Sequence, residues 1–307
     1  MDILQSKSLI RNISAGWTKA HKDAIYSIVD TISNSPYKEY MPSSFFEFSL
    51  QSCSSGMGLL HLNFYNSGIP KDAVNKIRSH RRNCILEVLS VLNKKFGNKY
   101  NVRMVDFIFN LSIGTAWPIH FGMDLGKTYK KIKIYLSPRP ANNGLVLAKL
   151  ERVCDKLGLK TAGIIKMFYS EDFDALGFDF SDDGRLDFKI YTFYKAPFDI
   201  PKMKHIYNQN KERYVPSLDF YFSAIRELPL RHIGFLYRLA KEPIVGSVKA
   251  WARFNKCIPV RRLSNILNSK YKSAEKWLGL KRNIIDSTGG RISYLTLENS
   301  HLGIYFR

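Results

Sequence analysis

The sequence has few cysteines and no apolar run of the length that a membrane span needs. Its four cysteines (Cys53, Cys84, Cys154 and Cys257) are scattered, without a CxxC pair or a histidine cluster beside them, so neither a zinc site nor a disulfide framework is indicated. No apolar stretch approaches the roughly 18 residues of a transmembrane helix. Met1–Asn12 also lacks the apolar segment of a secretory signal. We therefore expect a reducing, cytoplasmic location.

Acidic residues are also scarce, since 26 Asp and Glu stand against 47 Lys and Arg and leave a net charge of +21. Such an excess is compatible with nucleic acid, an anionic membrane or a phosphorylated substrate as partner. The basic residues are spread along the chain, and no RNP box, C2H2 spacing or arginine-rich arm is present. The nearest approach to an acidic metal site is Asp182, Asp183 and Asp187. We interpret it as a solvated hairpin turn, and we expect Asp124 and Asp179, each two residues after a Gly, to make turn and strand-end hydrogen bonds.

One stretch of the chain occurs twice. Gly122–Tyr135 returns as Gly177–Tyr191, and both copies have the pattern strand, turn, strand and end in Lys-Ile-Tyr. Because side chains alternate across a strand, Lys131, Lys133 and Tyr135 share one face and the isoleucines between them take the other. An ordinary surface hairpin alternates in the same way. Two copies about 56 residues apart, with a helix between them, instead favour an array of one repeated unit.

The remaining elements extend this pattern into about five repeats of a helix followed by two or three strands. We predict a third strand pair with Gly234 in the place of Gly122 and Lys249-Ala250-Trp251 in the place of Lys-Ile-Tyr. The predicted helices are Ala15–Ser33, Pro70–Phe96, Val102–Ile113, Asn143–Leu157, Ser217–Glu227 and Val260–Leu278. The predicted strands are Phe45–Gln51, Leu59–Asn66, Trp117–Leu125, Lys130–Ser137, Ala162–Ser170, Asp174–Phe180, Leu186–Tyr194, Arg231–Leu239, Ser247–Phe254, Arg291–Glu298 and Leu302–Arg307, and Pro197–Tyr214 is predicted as an irregular connection.

This order predicts an α+β fold, a closed antiparallel barrel of about ten strands ringed by outer helices. Strands joined by short turns run antiparallel, and closure removes the exposed edges of so long a sheet. No linker divides the chain, so we predict a single domain over residues 1–307. The Lys and Tyr face would then line the lumen. Because burying ammonium groups without partners is costly, such a lumen suits an anionic ligand.

These residues resemble the ABBA, or PT-barrel, prenyltransferases, a family marked by Gly-x-Asp followed by a strand carrying Lys-x-Tyr. Gly122-Met-Asp124 with Lys133-Ile-Tyr135 fits this pattern, and so does the second copy, Gly177-Phe-Asp179 with Lys189-Ile-Tyr191. Ser44–Ser49 resembles the first-strand Glu-Phe-Ser element, whose Glu is catalytic in the family. The chain departs from the pattern in three places. Leu60–Phe64 carries no Arg, Trp251 stands where a Tyr is expected, and Asp187 stands where members often have Arg.

The resemblance implies transfer of a dimethylallyl or longer prenyl group from its diphosphate to an aromatic acceptor such as an indole, a phenol or an aromatic peptide side chain, in specialised metabolism. It implies Glu47 as the catalytic carboxylate, no metal, and prenyl diphosphate as co-substrate of a monomer that binds no nucleic acid. The implied diphosphate ligands are Lys131, Lys133, Lys189 and Lys249, and the implied shield of the allylic cation is Tyr135, Tyr191, Trp251 and Tyr305. Two alternatives stay open: a basic nucleic-acid-binding protein, and a non-catalytic binder of a hydrophobic anion.

Overall fold

The structure is a computed structural model of the whole chain, and part of the chain is described in it. The described residues are 19, 22–23, 26–27, 30, 34, 47–51, 60–64, 74–97, 100–113, 115, 117, 119–125, 130–137, 143–168, 172–209, 221–222, 225–239, 245–259, 262, 291–298 and 301–306. The structural statements below concern these residues.

Five helices and ten strands have defined bounds. The helices are α1 (Val74–Phe96), α2 (Val102–Leu111), α3 (Asn143–Leu157), α4 (Thr161–Phe168) and α5 (Ile200–Gln209). The strands are β1 (Glu47–Gln51), β2 (Leu60–Phe64), β3 (Ile119–Leu125), β4 (Lys130–Leu136), β5 (Phe173–Ser181), β6 (Leu186–Lys195), β7 (Leu230–Leu239), β8 (Val245–Pro259), β9 (Arg291–Glu298) and β10 (His301–Phe306).

The ten strands form a closed barrel in the order β1-β10-β9-β8-β7-β6-β5-β4-β3-β2. Each strand pairs with its neighbours in the chain, and β1 joins β2 to β10. The registers of β2–β3, β3–β4, β6–β7, β7–β8, β8–β9 and β9–β10 are antiparallel. This confirms the α+β antiparallel barrel, in which closure leaves no strand edge unpaired.

The helix ends follow ordinary capping rules. Asn101 caps α2, because its side-chain oxygen accepts a hydrogen bond of 3.3 Å from the backbone N–H of Met104. Gly97 follows α1 with a φ of 66°, and its N–H donates to the Asn93 carbonyl at 2.9 Å. Glycine adopts this left-handed conformation without strain. The helix therefore ends at Phe96, as predicted.

Two predicted elements are wrong. Ala162–Ser170 was predicted as a strand, but Thr161–Phe168 is helix α4, whose buried residues Ile164 and Phe168 are four apart. So short an apolar run carries too little periodicity to separate helix from strand.

Pro197–Tyr214 was predicted as irregular, but it contains helix α5. Pro201 lies in the first turn of this helix, where proline is tolerated because its missing N–H has no helical partner. Asp199 caps the helix and accepts a hydrogen bond of 3.0 Å from the Lys202 N–H.

Some predictions are only partly covered by the described residues. Within the predicted helix Ala15–Ser33, the described residues 19, 22–23, 26–27 and 30 are helical, as are 221–222 and 225–226 within Ser217–Glu227. Val260–Leu278 lies outside the described residues except for Arg262.

By its contacts the chain divides into two compact units. The first contains Met1–Phe48, Leu59–Pro138 and Gly177–Asp187, and the second contains Ser49–Gly58, Arg139–Leu176 and Phe188–Arg307. The single domain predicted from the sequence stays a prediction. In the described part of the chain, no helix is long and apolar enough to cross a membrane.

Helices pack on the apolar face of the strands in the second unit. Ile233, Phe235 and Tyr237 of β7 are buried, and the ring of Phe168 from α4 lies 4.9 Å from that of Tyr237 at an edge-on angle of 77°. Tyr221 donates a 3.1 Å hydrogen bond to the Leu295 carbonyl of β9. The alternate residues of these strands therefore face away from the helices.

Candidate functional site

The repeated Lys-Ile-Tyr strands bury both of their faces. On β4, Lys131 and Lys133 are 6% and 7% exposed, and Ile132 and Ile134 opposite them are fully buried. On β6, Lys189 is 3% exposed and Ile190 is fully buried. Both segments are strands, which confirms the predicted alternation of Lys and Ile between the two faces. Their burial places ammonium groups in the interior, where they are costly unless compensated. Tyr135 and Tyr191, two residues after Lys133 and Lys189, are partly exposed.

Buried positive charge exceeds buried negative charge among the described residues. Four lysines are buried, namely Lys131, Lys133, Lys189 and Lys249. Asp179 is the one buried carboxylate in the same set of residues. All four lysines were predicted from the sequence as diphosphate ligands, and that role stays a prediction.

The strand register corrects the alignment of the third repeat. Gly122 stands opposite Lys133, whereas Gly234 stands opposite Trp251, and Lys249 stands opposite Leu236. Lys249-Ala250-Trp251 is thus offset by two residues from the place predicted for it. Trp251 takes the position of Lys133, and Lys249 takes the position of Lys131.

Gly234 lets Trp251 lie directly on β7. A Cβ added to Gly234 would come within 2.5 Å of Cε2 and Cζ2 of Trp251, and closer still to the carbonyl oxygen of Thr192 on β6. Any side chain here would displace the indole or the neighbouring strand. The glycine is therefore required by close approach, and it fixes the Trp251 ring, which is 6% exposed.

Lys131 lies between two carboxylates. Its Nζ is 3.4 Å from Oδ2 of Asp179 and 3.2 Å from Oδ2 of Asp187. Asp179 is fully buried, and the Asp187 side chain is 44% exposed. We call these three residues the Lys131 cluster. The interpretation of Asp187 as part of a solvated turn is wrong for this residue, and Asp179 is a buried ion-pair partner.

A row of cations and rings follows β8, β9 and β10 in the second unit. Lys249 Nζ lies 5.9 Å from the centre of the Tyr305 ring, and Arg253 lies 5.4 Å from the centre of the Tyr294 ring. The two tyrosine rings are 5.9 Å apart, and Tyr294 is 6.3 Å from Trp251. The distances place each cation within reach of a ring face.

Arg253 and Tyr294 were not predicted as site residues. The signal for Arg253 was available, because it lies two residues after Trp251 and four after Lys249 on one strand face. Tyr294 is identified only by the pairing of β9 with its neighbours, which places it opposite both Arg253 and Tyr305.

Glu47 is the first residue of β1, and its side chain lies outside the described part of the structure. The described residues contain no group of three or more His, Cys, Asp or Glu that could hold a metal ion. Burial raises the pKa of the Cys84 thiol to about 12 and that of Cys154 to about 11, with smaller contributions from nearby acidic side chains. These thiols are neutral core residues and not nucleophiles.

Comparison with known proteins identifies the fold. Neither a protein-family model nor a curated protein matches the sequence. The structure is similar to that of 5-dimethylallyltryptophan synthase from Streptomyces coelicolor, with a TM-score of 0.74 over 99% of this chain and 96% of the other, at 10% sequence identity.

Two further structures are similar at comparable coverage. One is the prenyltransferase PriB in a ternary complex with L-tryptophan and dimethylallyl thiolodiphosphate, with a TM-score of 0.72 and 13% identity over 99% of this chain and 95% of PriB. The other is AnaPT from Neosartorya fischeri, with a TM-score of 0.67 and 12% identity over 98% of this chain and 91% of AnaPT. The chain therefore has the ABBA, or PT-barrel, fold, and the resemblance drawn from the Gly-x-Asp and Lys-x-Tyr motifs is confirmed at the level of the fold.

Proposed function

We propose that the protein is an aromatic prenyltransferase that moves a dimethylallyl or longer prenyl group from its diphosphate to an aromatic acceptor. The observation that carries this proposal is the burial of four lysines on the repeated strands of a PT barrel. The same fold occurs in PriB, which was crystallised both with L-tryptophan and dimethylallyl thiolodiphosphate and with the product diphosphate.

In the proposed reaction, the bond between the allylic carbon and the diphosphate oxygen breaks, and the diphosphate leaves with the electron pair. Lys133, Lys189 and Lys249 are the proposed counter-charges for this leaving group. Fixed cations in a water-poor site stabilise the developing charge more strongly than water does. Lys131 was predicted as a fourth counter-charge, and its two carboxylate neighbours lead us to propose a different role for it below.

The allylic cation needs π faces and exclusion of water until the acceptor attacks it. Tyr135, Tyr191, Trp251 and Tyr305 are the proposed shield. Trp251 and Tyr305 belong to the cation–ring row of the second unit, where Tyr305 already lies against the Lys249 ammonium. A ring face that accepts an ammonium group has the electrostatic character that an allylic cation requires.

The acceptor's aromatic ring then forms a bond to the allylic carbon and loses a proton. We propose that Glu47 orients the acceptor and takes this proton, as the first-strand Glu does in the family it resembles. A positioned carboxylate contributes about 100-fold to 10,000-fold to such a step.

The test combines turnover with ligand binding. The protein is incubated with dimethylallyl or geranyl diphosphate and a panel of indoles, phenols and short aromatic peptides, and products are detected by mass spectrometry. Glu47→Ala should lose at least about 100-fold in turnover yet still bind an unreactive thio-analogue of dimethylallyl diphosphate. Glu151→Ala, which alters an exposed glutamate of α3, is the matched control and should match the wild type.

The outcomes separate the alternatives. Binding of the thio-analogue without product from any acceptor would identify a non-catalytic binder of a hydrophobic anion. Absence of both binding and product would refute the proposal and leave the basic charge of +21 to be explained by another partner such as nucleic acid.

A further inference from the structure

Strand register distinguishes Lys131 from Lys133, its neighbour on the same face of β4. Lys133 lies opposite Gly122, whereas Lys131 lies opposite Asp124 in the same strand pair. Lys131 also contacts Asp179 and Asp187. One ammonium group facing two carboxylates gives the Lys131 cluster a net charge of −1.

The sequence accounts for this cluster through the repeat. Asp179 is the aspartate of the second Gly-x-Asp motif, and Asp187 lies two residues before Lys189, as Lys131 lies two residues before Lys133. The second repeat thus carries an aspartate at the place where the first carries Lys131. The N–H of Ser181 donates to the Arg185 carbonyl at 2.9 Å, and continuing this antiparallel register brings Asp179 opposite Asp187 on the same strand face. Both carboxylates therefore point toward Lys131.

We propose that Asp187 is a positioning residue that holds the Lys131 ammonium against Asp179 and keeps it out of the set of cations that hold the diphosphate. The proposal rests on the prenyl-diphosphate site described above. The Lys131 ammonium group lies 3.2–3.4 Å from two carboxylate oxygens, so two of its three N–H donors are directed at them. A diphosphate would have to displace these carboxylates in order to bind the ammonium group. The carboxylate charge of Asp187 also opposes an approaching anion.

The proposal makes Asp187 a determinant of diphosphate affinity. Its side chain is 44% exposed, so it can be neutralised without opening a cavity in the core. In Asp187→Asn the cluster becomes neutral, because Lys131 then balances Asp179. The affinity for diphosphate should rise by about tenfold at low salt, and the gain should shrink as salt screens the interaction.

Charge-matched double variants separate positioning from direct binding. In Lys131→Met combined with Asp187→Asn, Asp179 is the one charged residue of the cluster that remains. In Lys131→Met combined with Asp179→Asn, Asp187 is the one that remains. Both double variants remove the ammonium group and keep the net charge of the Lys131 cluster at −1, as in the wild type. The second pair also leaves no buried carboxylate in the Lys131 cluster, so it preserves the test if the first pair does not fold. Lys133→Met serves as the control for a lysine proposed to bind diphosphate directly.

The measurement is calorimetric titration of each protein with inorganic diphosphate, together with kcat and KM for dimethylallyl diphosphate. We expect both double variants to bind diphosphate within about threefold of the wild type, and Lys133→Met to bind at least about tenfold more weakly, as loss of a charged hydrogen bond requires. Asp187→Asn should lower Kd and KM together, an effect that a purely structural role would not produce.

Two results would overturn the inference. Double variants weakened as much as Lys133→Met would show that Lys131 binds the diphosphate directly. An unchanged Kd in Asp187→Asn would show that the cluster does not control anion affinity. Failure of the wild type itself to bind diphosphate would refute the proposed function, and this inference with it, so the two failures are distinguishable.

Discussion

Replacing Gly234 by alanine tests whether the close approach of Trp251 to β7 is as tight as the structure shows. The new Cβ would lie 2.5 Å from two carbons of the indole and closer to the Thr192 carbonyl oxygen. Ordinary carbon–carbon contacts lie at about 3.5–4.0 Å, so at least one neighbour must move by about 1 Å. Overpacking of a well-filled core costs about 1–3 kcal/mol.

We expect Gly234→Ala to reach or exceed the upper end of that range, a loss of about 3 kcal/mol in the free energy of unfolding. Trp251 is almost completely buried, so its ring has little room to turn aside. The contact with Thr192 is to backbone, which cannot move without disturbing the pairing of β6 with β7. For the same reason, removing the indole in Trp251→Ala should not rescue the variant.

Gly163→Ala is the matched control, because it makes the same chemical change where there is space. Gly163 is exposed in α4, and a Cβ there meets no atom within 4 Å. Alanine in a helix should raise stability by about 0.5–1 kcal/mol. The two variants should therefore differ by about 4 kcal/mol, taking these estimates together.

Urea denaturation followed by circular dichroism measures both variants, and equal m-values show that the comparison reflects stability. The reasoning would be refuted if Gly234→Ala lowered the free energy of unfolding by less than about 1 kcal/mol, the lower end of the overpacking range. It would mean that Trp251 does not lie on Gly234 in the folded protein.

Three further predictions follow from the described residues. Lys131→Met should lower the free energy of unfolding by about 3–5 kcal/mol, because it removes a counter-charge from the fully buried Asp179. Asp187→Asn should lower it by about 1 kcal/mol or less, because the Asp187 side chain is half-exposed. Equal losses in urea denaturation would contradict the burial of Asp179. The raised pKa values of the Cys84 and Cys154 thiols keep them protonated in the folded state while unfolded thiols ionise above about pH 9, so stability falls as pH rises beyond that point, by about 1.4 kcal/mol per pH unit for each thiol. A Cys84→Ala/Cys154→Ala variant should lose this part of the slope, and a slope identical to that of the wild type would refute it. Turnover should persist in EDTA if, as proposed, lysines supply the counter-charge to diphosphate. Complete loss of turnover that magnesium restores would contradict this.

Sequence patterns of period two were enough to predict the strands that carry the site. In β4 and β6 the alternation of Lys and Tyr with Ile follows directly from strand geometry, and the structure confirms that both segments are strands. Two short helices were not predicted. Thr161–Phe168 and Ile200–Gln209 are helices that were missed because eight to ten residues hold only about two to three turns of helical periodicity.

The repeat by itself determined the antiparallel barrel, its closure and the four lysines on its polar face, because each of these depends on local alternation and on short connections. The partners of those lysines were decided by tertiary structure. Register places Trp251, and not Lys249, opposite Gly234, since a shift of two residues leaves the alternation unchanged and is invisible in the sequence. The pairing of Lys131 with Asp179 and Asp187 joins residues more than 45 positions apart, and only the folding of β4, β5 and β6 into one sheet brings them together.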